Sequence, residues 1–437
     1  MKPRLSYDDQ AWERGTIIYQ HWYKYLEEDA DPFNAVGRFL ATQFYPREWC
    51  DFDIFALGGF KVCFRIVFTD TTTALIRFPL PGIIMLPEEK VRNEVRAMRF
   101  ILEQTQKPHT IPIRVPSVLL SGKKDSPGKL GPFIVMEYIE HEQSICRLLE
   151  RLESDPIAVP YWILLSTRIV LSLPTITLSK IGSVGLEEDN STWRVFDRPL
   201  SYSMNEIVQL GTLPRIVLLE ALATLHISHL ISPRNDSIDS EDDCRRKFVA
   251  RILFQRIVQD EKLRKNWLYY ETGPFPIWCD DFRPENVLVD KDENIAGVVE
   301  WWSGGVVDWE FTYAAPVEFS YSPPWWLLLE KPEYWTKGLD DWCIQYEHRL
   351  PRFLKALADC EDEAIHNGQL LDTQGISGAM RDIYWQKIDQ RFFGPNQRAD
   401  PEDAWKERLS LLTPEETEYI NECVRVKSEE METRALA

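Results

Sequence analysis

Between Asp51 and Phe78 three short strand-like runs, Phe52–Leu57, Phe64–Phe68 and Ala74–Phe78, are separated only by turn-sized gaps at Gly58-Gly59 and Thr69-Asp70-Thr71. The period then changes. From Pro87 to Gln104 apolar residues recur at helical spacing, and Pro87-Glu88-Glu89 puts a proline and two acids where a first helical turn favours them. A polar loop over residues 121–129 leads into one more apolar strand, Phe133–Tyr138. Strands, one helix and a strand in this order make a small β-rich lobe.

Beyond Glu140 the pattern becomes mainly helical, most clearly at Ile216–His229 and Lys247–Val258. The acidic, serine-rich run Asn235–Asp243 reads as an exposed loop. Strand character is expected to return only at Val287–Val289 and Ile295–Val299, joined by a hairpin at Asp290–Asn294. From Pro323 the chain reads as helical again, and Thr413-Pro414-Glu415-Glu416 has the spacing of a capping box. Ile17–Leu26 and Asn34–Phe44 are two further helical stretches. The expected class is therefore α+β. A helical extension over 1–50 precedes a small β-rich lobe over 51–140 and a larger, mainly helical lobe over 141–437.

A hydrophobic content of 44 % over 437 residues supports a folded chain with a sizeable core. The net charge of −19 argues against a nucleic-acid partner, which needs basic surface to release counterions. It leaves room for a nucleotide, because a buried phosphate site needs only a few local donors and a metal. The eight cysteines form no Cys-x-x-Cys pair, and the opening residues carry no secretory pattern. Free thiols and a cytoplasmic setting are expected. The longest apolar run, Ile157 to Leu178, is interrupted by Arg168 and Pro174, which fits a buried helix and its exit turn better than a membrane span. The tryptophans at 301, 302, 309, 325, 326, 335 and 342 could cage a cationic substrate, but packing of the larger lobe is the preferred reading.

The chemistry is concentrated further on. Asp281 and Asn286 are five residues apart, with Val287-Leu288-Val289-Asp290 following at once. Next comes a doubled phrase, Ala-Gly-Val-Val-Glu-Trp at 296–301 and Gly-Gly-Val-Val-Asp-Trp at 304–309. A carboxylate, a carboxamide and a second carboxylate past an apolar strand can activate a hydroxyl and hold metal ions on ATP. The doubling supplies two candidates, Glu300 and Asp308, for that second carboxylate.

These phrases, in this order over about residues 50 to 345, resemble the aminoglycoside phosphotransferase and choline kinase superfamily, a branch of the protein-kinase-like fold. The large group of fungal members with uncharacterised substrates is especially similar. The resemblance implies a two-lobed kinase-like fold and transfer of the γ-phosphate of ATP to a hydroxyl of a small molecule. It implies that Asp281 accepts the hydroxyl proton and that Asn286, with Asp308 or Glu300, ligates Mg2+. Spacing from Asn286 favours Glu300; the wording Asp308-Trp309-Glu310-Phe311 favours Asp308. Gly58, Gly59 and Phe60 stand where a loop covers the phosphates. Arg77 stands where kinases carry a phosphate-binding lysine, with Glu94 on the next helix as its partner. Backbone groups near Glu137 and Ile139 would meet the adenine edge. Two departures matter. Cys279 replaces a histidine that props the catalytic loop, and Asp280 replaces a glycine, setting a second acid beside Asp281. They keep open a pseudokinase that binds nucleotide or a protein partner. A kinase acting on protein hydroxyls fits less well, since Ala315-Pro316-Val317 only approaches the Ala-Pro-Glu phrase such enzymes carry.

Overall fold

The computed structural model describes residues 9–28, 31–44, 49–58, 60–84, 86–108, 110–111, 113–122, 127–152, 167, 170–187, 192–200, 218–231, 238, 240–260, 273–292, 294–298, 309–320, 323–328, 330, 334–367 and 404–433. The chain divides into two compact units. One gathers Met1–Gln20, Ser203–Glu271 and Trp385–Ala437; the other gathers His21–Tyr202 and Thr272–Tyr384. Every residue singled out for chemistry belongs to the second.

That second unit takes in the end of helix Asp9–Glu28, then helix Asp31–Gln43 and five strands: β1 (Trp49–Leu57), β2 (Lys61–Phe68), β3 (Thr73–Pro79), β4 (Val118–Gly122) and β5 (Phe133–Glu137). They form one antiparallel sheet of order β1-β2-β3-β5-β4. Register places Arg77 of β3 opposite Cys63 on one side and Ile134 on the other. Between β3 and β4 the chain forms helix α1 (Pro87–Gln104), with proline in its first turn and Glu88 and Glu89 at its positive end. Its buried Val91, Val95, Met98 and Ile101 line one face and join the main core of the unit with Leu75, Ile134 and Met136.

Among the described residues eight shorter strands follow: β6 (Gln143–Ser144), β7 (Thr177–Leu178), β8 (Ser183–Leu186), β9 (Trp193–Asp197), β10 (Phe275–Cys279), β11 (Val287–Val289), β12 (Ile295–Val298) and β13 (Thr312–Ala314). The expected hairpin is present. Val287 pairs with Val298 and Leu288 with Gly297, and Asp290 Oδ1 accepts the N–H groups of Asp292 and Asn294 to close the turn. The expectation that strands return only there is corrected by β8, β9, β10 and β13. Three to five residues are too few to carry a readable period, and Pro276 weakens the strand signal of β10. Pairing with distant chain fixes β10 and β13, Cys279 with Thr312, Ile277 with Ala314, and Pro276 with Thr177, while β8 and β9 pair with each other. As a result β10 and β11 are each the middle strand of a small antiparallel sheet, with orders β13-β10-β7 and β12-β11-β6. The 280–286 loop between them is anchored at both ends.

The first unit is helical where described. Helices Leu218–Ile231, Glu241–Gln259 and Pro414–Thr433 share a core of Leu230, Cys244, Phe248, Ile252, Ile420 and Val424. The loop read over Asn235–Asp243 ends earlier than expected, because the Ser240 side chain caps the helix that takes in Asp243. The capping box is formed, with Glu416 N donating to Thr413 Oγ1 at 3.2 Å and Thr413 N to Glu416 Oε2 at 2.7 Å. Among the described residues no helix is long and apolar enough to cross a membrane, and Cys63, Cys146, Cys244, Cys279, Cys343, Cys360 and Cys423 are free thiols.

Candidate active site

The clearest polar feature of the second unit is a buried ion pair between Arg77 of β3 and Glu94 of α1. The strand delivers the guanidinium from the sheet face that α1 covers, and Glu94 is on the helix face that meets it. Such a pair holds two elements in one register, because neither charge tolerates burial alone. The rest of α1 is also fastened. Glu89 meets Arg198 at 3.1 Å, Asn93 Nδ2 meets Ser183 Oγ at 3.5 Å, Arg96 meets Asp197 at 2.9 Å, and Glu103 accepts from Trp193 Nε1 at 2.6 Å. The β8–β9 hairpin therefore grips the helix along its length, which the sequence did not disclose.

Lys90, one turn before Glu94, makes a second buried pair. Its Nζ lies 2.5 Å from Glu310 Oε1. Gly58 and Phe60 belong to the turn between β1 and β2, where Gly58 N donates to Lys61 O at 2.9 Å and Leu80 N to Phe60 O at 2.8 Å. Phe60 is buried, and Lys90 Nζ stands 5.0 Å from its ring centroid. The Phe60 side chain thus packs inward, leaving backbone as what this turn offers a ligand. Gly59 lies outside the described residues.

In the 280–286 loop, Asp281 is buried and its Oδ2 is 3.3 Å from Arg283 Nη2. Residues Pro284–Asn286 form one 3₁₀ turn. The Asn286 side chain, fully buried, accepts the Arg283 N–H through Oδ1 at 2.9 Å, while its Nδ2 has no hydrogen-bond partner among the described residues. An amide oxygen has a second lone pair, so this capping bond leaves Asn286 able to ligate a hard cation.

The two residues just before Asp281 have structural accounts. Asp280 Oδ1 accepts Trp278 Nε1 and the Tyr313 hydroxyl, both at 2.8 Å. Asp280 thereby ties β10 to β13, while Asp281 has Arg283 as a donor. Burial pushes the Tyr313 phenol well above its ordinary range, with the charge of Asp280 adding to it. Burial likewise pushes the Cys279 thiol up to about 12, the Thr312 hydroxyl across the ladder opposing the shift. Cys279 is a neutral packing residue at ordinary pH, without the reactivity of an exposed thiolate.

Glu137 ends β5. Its N–H donates to Ser117 O at 2.9 Å, and its carboxylate meets Arg114 Nη2 at 2.9 Å. Ile139 is fully buried, and its carbonyl lies 2.9 Å from His141 Nδ1. Gly297 of β12 packs beneath this segment, and a Cβ there would meet Ile139 Cδ1 at 2.7 Å. Gly297→Ala should cost about 1 kcal/mol, a modest figure because a side-chain terminus can rotate away. Thermal melting of the variant checks the size.

Glu300 and Asp308 both lie outside the described residues, as do Trp301 and Trp302. Among the described residues no group of three His, Cys, Asp or Glu could hold a metal ion. The chain resumes at the 3₁₀ turn Trp309–Phe311 and enters β13. Trp309, Trp326 and Trp342 belong to the buried core, and Trp335 packs against it with Nε1 donating to Asp341 at 2.8 Å. For these four, packing is the observed use.

No protein-family model matches the chain, and no curated protein sequence matches it. Among solved structures, a candidate fructosamine-3-kinase from Thermobifida fusca is similar with a TM-score of 0.36 at 13 % identity, over 86 % of this chain and 99 % of that one. A type I macrolide 2'-phosphotransferase gives 0.28 at 13 %, over 82 % and 98 %. The macrolide 2'-phosphotransferase of Brachybacterium faecium gives 0.30 at 12 %, over 90 % and 97 %. Likenesses this distant decide nothing about the site; its chemistry rests on its own residues.

Proposed function

We propose that the second unit is an ATP- and Mg2+-dependent phosphotransferase of the protein-kinase-like kind, moving the γ-phosphate to a hydroxyl of a small molecule. The observation that carries this reading is the buried Arg77–Glu94 pair between the third strand of the sheet and the helix after it. In kinases a strand cation paired to a helix glutamate clamps the nucleotide phosphates. Here the pair belongs to the same unit as the Asp281 and Asn286 loop. Arginine keeps the charge and adds a planar fork of donors for phosphate oxygens.

On this reading the β1–β2 turn covers the phosphates with backbone, while Glu137 O and Ile139 N–H meet the adenine edge. Asp281 accepts the hydroxyl proton, and Arg283 beside it holds the carboxylate in orientation. The donors suited to magnesium are oxygens: the Asn286 amide and the carboxylate of Asp308, with Glu300 as the alternative. When bound, the metal supplies charge neutralisation at the β- and γ-phosphates. The pseudokinase reading draws on Cys279, Asp280 and the doubled segment at 296–309, of which residues 299–308 lie outside the described residues. Cys279 is a buried strand residue, and Asp280 takes its printed donors from Trp278 and Tyr313, which ties β10 to β13.

Melting the protein with ATP, with and without magnesium, tests the proposal. A ligand at about a hundred times its Kd should raise stability by about 2.7 kcal/mol, which is a shift of several degrees. Loss of that shift on chelation, and ADP formation with a hydroxyl acceptor, are the expected results. A chain whose melting ignores magnesium and ATP together has no such site.

A further inference from the structure

One stripe of α1 meets the β8–β9 hairpin at every turn. Positions 89, 93, 96, 100 and 103 recur at alternating spacings of four and three, which brings them to one side of the helix. Glu89 pairs with Arg198 at 3.1 Å, Asn93 Nδ2 donates to Ser183 Oγ at 3.5 Å, and Arg96 pairs with Asp197 at 2.9 Å. The Phe100 ring stands 5.3 Å from that of Trp193, whose Nε1 donates to Glu103 at 2.6 Å. Glu94 directly follows Asn93, so a rotation of the helix that took Glu94 off Arg77 would break these ties together. Apolar packing tolerates small slides; hydrogen bonds are directional and weaken steeply when turned. The hairpin has a second attachment. Gly182, at its base, bridges Ala314 of β13, with Gly182 N donating to Ala314 O at 3.0 Å and Ala314 N to Gly182 O at 2.9 Å. Its φ is +142°, and a Cβ there would run into the Asp197 carbonyl, so glycine is what lets β9 and β13 approach. β13 in turn pairs with β10, which leads directly into the loop of Asp281.

We propose that the β8–β9 hairpin is a strap that sets the rotation of α1, keeping Glu94 on Arg77 and tying the helix through β13 and β10 to the Asp281 loop. Arg96, Asp197, Glu89, Arg198 and Trp193 are then positioning residues for the nucleotide. The functional half of this inference rests on the phosphotransferase reading. In protein kinases the joining of strand cation to helix glutamate is controlled by helix position and by phosphorylation. Here the support for that helix is built into the same unit, so the nucleotide site assembles without a partner or a modification.

The test sets Mg-ATP affinity beside amide hydrogen exchange, both measured on the whole chain. Arg96→Met/Trp193→Phe/Arg198→Met removes three directional ties and keeps apolar bulk against the helix. Partly exposed ties each contribute modestly, so this variant should fold. Its Kd for Mg-ATP should rise about tenfold, and exchange should quicken in α1 and in residues 280–286 together. Arg96→Lys/Arg198→Lys keeps both charges and should stay within about twofold of wild type. In a Glu94→Gln background the triple substitution should change the Kd by less than about twofold, since its effect passes through that carboxylate. A folded triple variant with wild-type affinity overturns the inference. Unchanged exchange in either segment, or an equal loss of affinity in both backgrounds, also overturns it. If the triple variant does not fold, Arg96→Met alone decides, and unchanged exchange in α1 overturns the inference. If wild-type chain does not bind Mg-ATP, the phosphotransferase reading fails and exchange alone judges the strap: quickening in both segments supports it, and no change overturns it.

Discussion

Asp281→Asn should lower phosphoryl transfer by about a hundred- to ten-thousand-fold, the range a positioned general base contributes, while leaving Mg-ATP binding intact. The substitution is isosteric. An asparagine oxygen can still accept from Arg283 Nη2, which lies 3.3 Å from Asp281 Oδ2 in the native loop. Arg283 is partly exposed, so weakening its partner from carboxylate to amide has a modest structural cost. The loop itself depends on other bonds, from Phe282 N to Cys279 O and from Arg283 N to Asn286 Oδ1. What asparagine cannot do is take the proton from an acceptor hydroxyl. The expected signature is a collapse of turnover with an unchanged thermal shift on adding ATP and magnesium. Full turnover in Asp281→Asn would remove Asp281 from the role of base. Asp280→Asn provides the contrast: it keeps an acceptor for Trp278 and Tyr313 and should leave turnover close to wild type.

The parts of this fold legible in the sequence were those whose order is local. Helix α1 begins at Pro87 and ends at Gln104 as its apolar period and acidic first turn require. The three runs between Asp51 and Phe78 became β1, β2 and β3 because alternation and turn residues agree there. The Arg77–Glu94 pair could be anticipated because a strand cation and a helix acid follow one another closely in the chain. The Lys90–Glu310 pair could not. Its members are far apart in sequence, and an isolated lysine in a helical run reads as solvated surface. The same reason hid β10 and β13, whose short segments gain strand geometry only by pairing Cys279 with Thr312. The donors of Asp280 were hidden for a related reason: its adjacency to Asp281 is visible in the sequence, whereas Trp278 and Tyr313 reach it from β10 and β13.

Glu94→Ala should be among the most destabilising single changes in this unit, at about 3–5 kcal/mol, because it leaves Arg77 buried without its carboxylate. Arg77→Met should cost less. A stranded Glu94 can take up a proton, whereas a guanidinium cannot shed one within the range where proteins are folded. Thermal melting of the two single variants should therefore rank them in that order, with Glu94→Ala lower by several degrees. The paired substitution Arg77→Met/Glu94→Leu separates architecture from function. It removes both charges and keeps apolar volume against Met98, Val91 and Val95, so its melting temperature should return close to wild type. Nucleotide binding should not return with it, because the cation that meets the phosphates is gone. If this double variant binds Mg-ATP as tightly as wild type, the Arg77–Glu94 pair serves only to join β3 to α1. In that case the residue that meets the phosphates must be sought elsewhere on the sheet, beginning with Lys61, a buried cation at the start of β2.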